Sequence, residues 1–290
     1  MGAQFVLTGP EVELELDSSG AACRSLMVNG RPVLTAPEFD NSAYYGGRVL
    51  APWPNRTYPA AWSVGSALGV LTPTPGFEPT AIHGLVAERQ WHPHRRAHHH
   101  ISFTTQLDAS TCYPFTLSLA TDYRAIDRGL RVDFVVRNDG KTTAPVGLGW
   151  HPYYCVSGHV DDVEVIFASQ SAFEQDETGI PRVPVRGFDT TPLLLRDRVL
   201  DHTFGLETDA DTAEVAVTDG SWRTLLTLGP GWPFLHIFTA DTLPEAQRRR
   251  SLAIEPQTCP ANMLNTGASA IWLEPGEVVE RWLTVTTNDI

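Results

Sequence analysis

The feature of this sequence that most limits its fold is an alternation of apolar and polar residues with a period of two. The stretch GLRVDFVVRN places Leu130, Val132, Phe134 and Val136 on one face. A run of the same kind, FTLSLATDYRA, precedes it, and the intervening IDRG is typical of a turn. Because successive side chains of a strand point to opposite faces, the two runs predict an antiparallel hairpin.

Similar strand patterns recur along the chain. They read EVELELD, HHHISFTTQL, VEVIFAS, AEVAVTD, TLLTLG, PFLHIFTA, SLAIEPQ and ERWLTVTTN, with turn-rich clusters such as GPGWP and NDGK between them. DTLPEAQRRRSL has a plausible helix start and predicts one short helical turn at most. Many short strands without alternating helices predict antiparallel sheets that pack face to face or close. With no linker composition and no internal repeat, the sequence predicts one large all-β domain over residues 1–290.

Composition limits the partners and the compartment. The formal net charge is −13, and the longest basic tract is Arg248–Arg250. An acidic chain without a basic stripe is not expected to bind nucleic acid or an anionic membrane surface. No apolar stretch approaches the ~18 residues of a membrane span, and the first residues lack the pattern of a secretory signal. The 4 cysteines are far apart and fit free thiols, so we expect a cytoplasmic protein.

Reactive polar residues stand in apolar or turn-rich segments at several separate places. They are Asn55 and Arg56 in GGRVLAPWPNR, His83 in AIHGL, Trp150 and His151 in GWHPYY, Asp201 in LDHTF, and Glu255 in LAIEPQTCPANMLN. Each has an ordinary explanation alone, as a core histidine, a loop arginine, a turn aspartate or a rim carboxylate. Glu255, however, directly follows an apolar strand, where a carboxylate is costly to bury without partners. One shared functional site explains all of these residues together, whereas the ordinary explanations must apply to each residue independently.

Three other kinds of chemistry have weaker support in the sequence: a metal site, a serine nucleophile and a phosphate-binding loop. In HPHRRAHHH, residues 92–100, His98 and His100 would share a strand face and could bind a transition metal. No acidic or cysteine ligand is close in the sequence, so we interpret the run as a solvated histidine patch. The chain has no Gly-x-Ser-x-Gly nucleophile turn and no phosphate-binding glycine loop. Acid–base chemistry without metal or cofactor remains.

The residue types suit chemistry at the anomeric carbon of a sugar. A histidine with a pKa near neutrality can protonate an oxygen, and a glutamate can take a proton from a hydroxyl. An arginine and a second histidine can hold neutral hydroxyls or a developing oxyanion. Aromatic residues such as Trp53, Trp150 and Tyr153 suit the apolar face of a sugar ring.

Two other functions remain open at this point. A glycoside hydrolase would use Glu255 and Asp201 as paired carboxylates, but it leaves both histidines without a role. A carbohydrate-binding sandwich without catalysis would explain the aromatic residues and Arg56, but it needs neither an acid nor a base.

The same segments carry a resemblance to a known family. GGRVLAPWPNR, AIHGL, GWHPYY, LDHTF and AIEPQTCPANMLN occur in the order and approximate spacing of the aldose 1-epimerase (galactose mutarotase) family. The match resembles the bacterial branch with a Trp-Pro-Asn-Arg loop, which includes sulfoquinovose mutarotases. The resemblance implies a large antiparallel β-supersandwich of the galactose mutarotase type. It also implies a monosaccharide substrate, no cofactor, and a monomer or homodimer.

The resemblance assigns the two catalytic roles. Glu255 matches the general base that takes the proton from the C1 hydroxyl. His151 matches the general acid that protonates the ring oxygen, so that the ring opens to the free aldehyde. Rotation about the C1–C2 bond and reclosure then give the other anomer, with the two residues exchanging roles.

The resemblance also assigns substrate contacts. His83 matches a second histidine near the ring oxygen, and Arg56 and Asp201 match groups that hold sugar hydroxyls. We expect Asn55 and Trp150 to contact the substrate as well.

The sequence leaves the sugar itself open. A phosphorylated or sulfonated hexose would need extra positive charge at the pocket. Because Lys141 is the only lysine, that charge would come from arginine, and Arg48 is the candidate.

Overall fold

The hairpin predicted from GLRVDFVVRN forms in a computed structural model of the chain. Its strands, Leu117–Ile126 and Gly129–Asn138, pair in continuous register, with a two-residue turn between Ile126 and Gly129. The four apolar residues predicted to share a face are all buried. The structure describes residues 2–35, 44–185, 192–207 and 211–289.

The described residues are almost entirely strands and the loops between them. The strands are β1 (Gln4–Thr8), β2 (Val12–Asp17), β3 (Ala22–Val28), β4 (Arg31–Leu34), β5 (Val49–Leu50), β6 (Arg56–Thr57), β7 (Ala61–Val64), β8 (Ala67–Val70), β9 (Ala81–Ile82), β10 (His92–Ala97), β11 (His100–Leu107), β12 (Leu117–Ile126), β13 (Gly129–Asn138), β14 (Ala144–Val146), β15 (Gly149–Trp150), β16 (Tyr153–Cys155), β17 (Glu164–Phe167), β18 (Ser169–Gln175), β19 (Pro181–Val185), β20 (Leu193–Leu194), β21 (Asp201–Leu206), β22 (Ala213–Thr218), β23 (Trp222–Leu228), β24 (Phe234–Phe238), β25 (Ser251–Gln257), β26 (Ile271–Leu273) and β27 (Val278–Asp289).

Helices are few and short in these ranges. The α-helix found there, α1 (Met263–Thr266), has four residues, and a 3₁₀ helix spans Val160–Asp162. The segment DTLPEAQRRRSL forms turns and then enters β25, in keeping with the single turn at most that was predicted. No helix in the described part of the chain has the length and apolar character needed to cross a membrane.

Two large antiparallel sheets contain most of the strands. The larger sheet has twelve strands, with the main order β1-β2-β3-β4-β16-β25-β24-β21-β18-β19 and with β15 and β5 attached beside β25. The smaller has nine, in the order β10-β11-β12-β13-β27-β23-β22-β17-β20. Every segment predicted to be a strand lies in one of these sheets. The all-β fold class predicted from the alternation is therefore confirmed.

The hydrophobic core lies between the two sheets. Strand β12 packs against β1 and β2, and β13 packs against β3. Aromatic pairs cross the interface, including Phe5 with Phe103 at 5.4 Å and Phe167 with Phe204 at 5.4 Å between ring centroids. The hydroxyl of Tyr123 donates to the carbonyl oxygen of Ala21 at 2.6 Å, so its buried polar atom is satisfied across the core.

The register of three strands in the larger sheet aligns polar residues on the face that turns away from the core. Thr203 of β21 pairs with His236 of β24, which pairs with Glu255 of β25. Ile237 and Ile254, one position away, belong to the core cluster. Because side chains alternate along a strand, Thr203, His236 and Glu255 project together from the face that turns away from the core.

Candidate active site

A cavity of about 530 Å³ opens on that polar face of the larger sheet. Strands β21, β24 and β25 and the turn before β16 line one side, which we call the floor, and residues 44–45, 55–56, 75–77 and 82–83 line the other, which we call the roof. The described residues that line it are Tyr44, Tyr45, Asn55, Arg56, Pro75, Gly76, Phe77, Ile82, His83, His151, Tyr153, Asp201, His236, Phe238, Thr242, Leu243 and Glu255. Polar groups thus converge in a partly enclosed space with aromatic walls, as in small-molecule sites generally.

An imidazole and a carboxylate meet on the cavity floor. His151 lies between β15 and β16, both of which pair with β25. Its Nε2 is 3.3 Å from Oε1 of Glu255, and the two side chains are only 5% and 2% exposed. The other oxygen, Oε2, accepts a hydrogen bond from Nε2 of Gln257 at 3.0 Å. The ring of Tyr153 stacks on His151 at 5.1 Å and fixes the plane of the imidazole.

Two opposing influences act on the proton of His151. Burial lowers the pKa of this histidine below its ordinary value of 6.5, because the charged form loses its hydration. The carboxylate of Glu255 acts in the opposite direction by stabilising the imidazolium. A buried histidine held beside a carboxylate can both give up and recover a proton, which is the property that acid–base catalysis needs.

His83 is held in the roof by a reciprocal contact with Asn55. Its backbone N–H donates to the Asn55 carbonyl oxygen at 3.0 Å, and the Asn55 N–H donates to Nδ1 of His83 at 3.2 Å. Both residues have left-handed backbone conformations, with φ of 63° and 54°. Burial is the main cause that lowers the pKa of His83 well below 6.5, and the nearby charge of His151 is the second, so the ring is neutral. Since Nδ1 accepts, we assign the proton to Nε2 and therefore a donor role to that atom.

A second polar group spans the cavity from roof to floor. Nη2 of Arg56 donates to Oδ2 of Asp201 at 2.9 Å, and Nε2 of His236 lies 2.8 Å from Oδ1 of the same carboxylate. Oγ1 of Thr203 lies 3.0 Å from Nδ1 of His236 and so supports that ring from the floor. Burial would raise the pKa of Asp201, but the hydrogen bonds from His236 and Arg56 outweigh it and hold the pKa well below the usual range. Asp201 is therefore an ionised acceptor.

Three of these residues bring possible metal ligands together. One ligand atom from each of His83, His151 and Glu255 lies within 4.8 Å of the others, and two histidines with a glutamate are a known zinc ligand set. The contact with Asn55 disfavours such a role. It occupies Nδ1 of His83 as an acceptor, and the neutral ring then carries its proton on Nε2. A metal would have to displace that proton and leave the Asn55 N–H facing a protonated Nδ1.

The structure brings most of the residues predicted from the sequence into one site. Asn55, Arg56, His83, His151, Asp201 and Glu255 all line the cavity. The prediction for Trp150 needs correction. Its ring is fully buried in the core, and its Nε1 donates to the Gly47 carbonyl oxygen at 2.9 Å. Trp150 supports the segment that carries His151 and is not among the described residues that line the cavity.

Arg48 also stays outside the cavity lining formed by the described residues. Its Nη1 lies 3.8 Å from a carboxylate oxygen of Glu88, and its guanidinium lies 5.7 Å from the centroid of the Tyr45 ring. The structure therefore does not place the guanidinium of Arg48 among the groups that line the cavity.

Sequence reasoning missed several residues of the site. His236 was inside a predicted strand, PFLHIFTA, but was not singled out. Tyr45 and Phe77 come from the long loops and contact each other, with ring centroids 6.4 Å apart. Gln257, two residues after Glu255, orients the carboxylate. The alternation in SLAIEPQ, which puts residues 255 and 257 on one face, was the signal that could have identified it.

Most of the histidine patch outside the site is exposed, as predicted, but His100 is half-buried. Every residue of β10, the edge strand that begins the patch, is solvent-exposed. His98 and His99 lie in the turn after it, so the expected strand face shared by His98 and His100 does not form. His100 instead pairs with Asp122, with 2.6 Å between Nε2 and Oδ1. None of these residues belongs to a metal-ligand cluster found in the described ranges.

The chain matches a known protein family over nearly its whole length. A family model described as aldose 1-epimerase matches residues 4–286 of the chain. The chain belongs to the aldose 1-epimerase family. Membership makes the protein an isomerase of the mutarotase type and leaves its sugar open. The expectation drawn from the sequence motifs is thereby confirmed at the level of the family.

Solved structures support the same fold, and one further protein has a similar sequence. An uncharacterised Escherichia coli (strain K12) protein, YihR, is 29% identical over 238 residues, which are 80% of this chain and 75% of YihR. The crystal structure of a putative aldose 1-epimerase from E. coli K12 has a TM-score of 0.86 at 15% identity and covers 99% of both chains. The GalM/aldose epimerase homologue from C. elegans also has a TM-score of 0.86, at 18% identity and 100% coverage of both chains. These structures show that the fold is that of an aldose epimerase.

Proposed function

We propose that this epimerase interconverts the α and β anomers of a neutral aldose, with Glu255 and His151 as the catalytic pair. The observation that supports the proposal most directly is the 3.3 Å separation between Nε2 of His151 and Oε1 of Glu255 in a buried cavity. Anomerisation moves protons at two oxygens, the hydroxyl O1 and the ring oxygen O5, that are bonded to the same carbon. An acid and a base placed side by side match that requirement.

The reaction follows from these positions without a cofactor. Glu255 takes the proton from the C1 hydroxyl while protonated His151 donates its proton to the ring oxygen. The C1–O5 bond breaks, and C1 becomes the aldehyde carbon. After rotation about C1–C2, the C5 hydroxyl attacks the other face of the aldehyde. His151 then recovers a proton from that hydroxyl and Glu255 returns one to the new O1.

The other polar residues hold the sugar for this exchange. Nε2 of His83, as a neutral donor, is suited to a sugar oxygen near His151, since the two rings lie 5.0 Å apart. Arg56 and Asp201 present a paired donor and acceptor, which suit vicinal hydroxyls. The rings of Tyr45 and Tyr153 offer apolar surface to the C–H faces of the sugar.

The charge of the site favours a neutral substrate. Arg56 is the one lysine or arginine in the described lining, and it is already paired with Asp201 at 2.9 Å. Glu255 adds a further carboxylate. A phosphate or sulfonate group on the sugar would find no unpaired cation in the described lining. The free energy that the group loses on leaving water would therefore not be offset. We therefore expect an unmodified aldose to be preferred over its 6-phosphate.

The site disfavours the two other functions that the sequence left open. A glycoside hydrolase needs one carboxyl group that is protonated in the free enzyme. Asp201 is ionised, and Glu255 accepts from Gln257 and faces His151, so neither is placed as that acid. A binding sandwich needs no proton transfer, and burying an acid–base pair would only weaken its fold.

The direct test is the optical rotation of a freshly dissolved pure anomer. The epimerase is expected to accelerate the drift of α-D-glucose or α-D-galactose toward equilibrium at catalytic protein concentration. A hydrolase would release reducing ends from aryl glycosides, and a lectin would change neither signal. Unchanged drift for every neutral aldose tested, in a protein shown to be folded, would refute the proposed function.

We expect Arg56→Ala to weaken substrate binding more than chemistry. Hydrogen bonds to charged groups contribute about 1.5–3 kcal/mol, so KM should rise roughly ten- to a hundredfold while kcat changes little. Steady-state polarimetry at several sugar concentrations separates the two constants. Arg196→Ala, at an exposed arginine paired with Asp162, is the matched control. A large fall in kcat at unchanged KM would assign Arg56 to the transition state instead.

Compartment and assembly are part of the same proposal. We propose cytoplasmic action by a monomer or homodimer that uses residues 1–290 as one domain. The buried, unoxidised thiols of Cys23 and Cys259 support a reducing compartment. Burial raises the pKa of Cys259 to about 12, so this thiol is unreactive.

A further inference from the structure

The hairpin formed by β7 and β8 has an apolar outer face. Side chains alternate along both strands, so that Trp62 and Val64 of β7 are buried while Leu68 and Val70 of β8 project outward. Leu68 is 69% exposed and Val70 is 65% exposed. The hairpin is a separate sheet of two strands that lies outside the two large sheets.

The hydrogen-bond pattern of the hairpin leaves the outer edge of β8 open. The N–H of Leu71 donates to the carbonyl oxygen of Ala60 at 2.9 Å, which fixes the alternation along the ladder. Because hydrogen-bonded and non-hydrogen-bonded pairs alternate, Leu68 and Val70 stand in non-hydrogen-bonded pairs opposite β7. Their backbone N–H and C=O groups therefore point away from β7. No other strand in the described part of the chain pairs with β8.

Strand β8 lacks the features that usually protect an edge strand. Edge strands are commonly shielded by charged side chains, by proline or by a covering element. Here the helix α1 packs against β7, and residues 57–77 contain no charged side chain. The exposed ring of Trp272 extends the apolar surface at the turn, where a Cβ on Gly65 would lie 3.3 Å from it. An open apolar edge of this kind is a surface for strand pairing.

Charge favours a second copy of the chain as the partner. A protein with the usual charged surface would have to dehydrate its charges against an uncharged edge, which is costly. A lipid surface would leave the open backbone groups of β8 without hydrogen bonds. The formal net charge of the chain is −13, so two copies repel each other over most orientations. Contact through residues 57–77 brings no like charges of that segment together.

We propose that β8 pairs with β8 of a second copy, antiparallel about a twofold axis, to form a homodimer. With the axis beside Gly69, Leu68 of each copy stands opposite Val70 of the other, as an isologous contact requires. The outward N–H and C=O groups of these residues then form hydrogen-bonded pairs, and the two hairpins join into one sheet. The apolar side chains of both copies cover each other on its outer face. This inference is independent of the proposed function, because Leu68 and Val70 are not among the described residues that line the cavity.

Sedimentation velocity over a range of protein concentrations tests the dimer. At about 100 μM we expect the wild type to be a dimer that dissociates on dilution, because a contact between short strands is small. The monomer has a mass of 31.9 kDa. Leu68→Lys should raise the dissociation constant at least about 100-fold, since the twofold axis places both substituted side chains in the contact.

A second variant tests the backbone pairing itself. Val70→Pro removes an N–H that points to the open edge and leaves the hydrogen bonds to β7 in place, so it should raise the dissociation constant at least about tenfold. Hydrogen exchange measured by mass spectrometry gives a local signal. The amide hydrogens of residues 68 and 70 should exchange more slowly in the dimer than after dilution.

The matched control is Leu194→Lys. It makes the same change at an exposed leucine of β20, the edge strand of the nine-stranded sheet, and should leave the dissociation constant within twofold of the wild type. Thermal unfolding of dilute protein separates a folding defect from a loss of pairing. If Val70→Pro does not fold, Leu68→Lys and the hydrogen exchange of the wild type decide the outcome.

Three results would overturn the proposal. The first is a wild type that remains monomeric at the highest concentration. The second is a dimer that both β8 variants retain, since that dimer would use another surface. The third is cosedimentation of the monomer with vesicles of zwitterionic lipid that Leu68→Lys abolishes, which would assign the open edge to a membrane.

Discussion

Glu255→Gln is expected to lower kcat by a factor of 10²–10⁴ with little change in KM. A positioned base contributes roughly that factor, and the amide cannot take the proton from the C1 hydroxyl. The substitution preserves shape, and its carbonyl oxygen can still accept the hydrogen bond that Gln257 now gives to Oε2. The loss should therefore appear in chemistry and not in folding. Polarimetry gives the turnover, and thermal unfolding gives the stability.

Glu214→Gln is the matched control for this variant. It makes the same chemical change at an exposed position of β22, in the other large sheet, and should keep wild-type turnover and stability. Turnover of Glu255→Gln within threefold of the wild type would show that another group removes the proton, and the proposed mechanism would be wrong.

His151→Gln is expected to lower turnover by at least about 10²-fold and to change the shape of the pH profile. Protonated His151 is the proton donor, so kcat/KM should fall as pH rises through the pKa of this histidine. Because burial lowers that pKa, the fall in the wild type should begin on the acid side of 6.5. Any limb at lower pH, which does not involve the proton donor, should remain in the variant. Loss of the low-pH limb in the variant would mean that the two limbs belong to His151 and Glu255 acting as one coupled pair.

The pH experiment needs its own controls. His94→Gln alters an exposed histidine of β10 and should leave the profile unchanged. An alkaline limb that persisted in His151→Gln would identify a different donor. The double variant with His83→Gln would then test the neutral histidine that lies 5.0 Å away.

The strands and most of the site residues could be predicted from the sequence because the alternation is local. A period-two run such as GLRVDFVVRN contains its own evidence for a strand and for the buried face. The motifs around Arg56, His83 and Glu255 each placed a polar group in a segment that cannot bury it cheaply. Those local conflicts indicated residues that the structure brings together around one cavity.

The residues that were missed depend on pairing between distant segments. His236 joins the site because β24 lies between β21 and β25, and no single segment of the sequence reveals that order. The error over Trp150 has a local cause. Trp150 and His151 are adjacent, and neighbouring residues of an extended chain point to opposite faces. The alternation that identified the strands would have placed the tryptophan in the core.

The register across β21, β24 and β25 has a consequence for how the enzyme can fail. A shift of one residue in the pairing of β25 would exchange its two faces, moving Glu255 into the hydrophobic core and Ile254 into the cavity. Such a chain would lose the general base and bury an unpaired carboxylate in the same step. Misfolded molecules with partial activity are therefore not expected from this part of the sheet, so the epimerase rate per mole of protein should fall in proportion to the fraction of molecules in which β25 is mispaired.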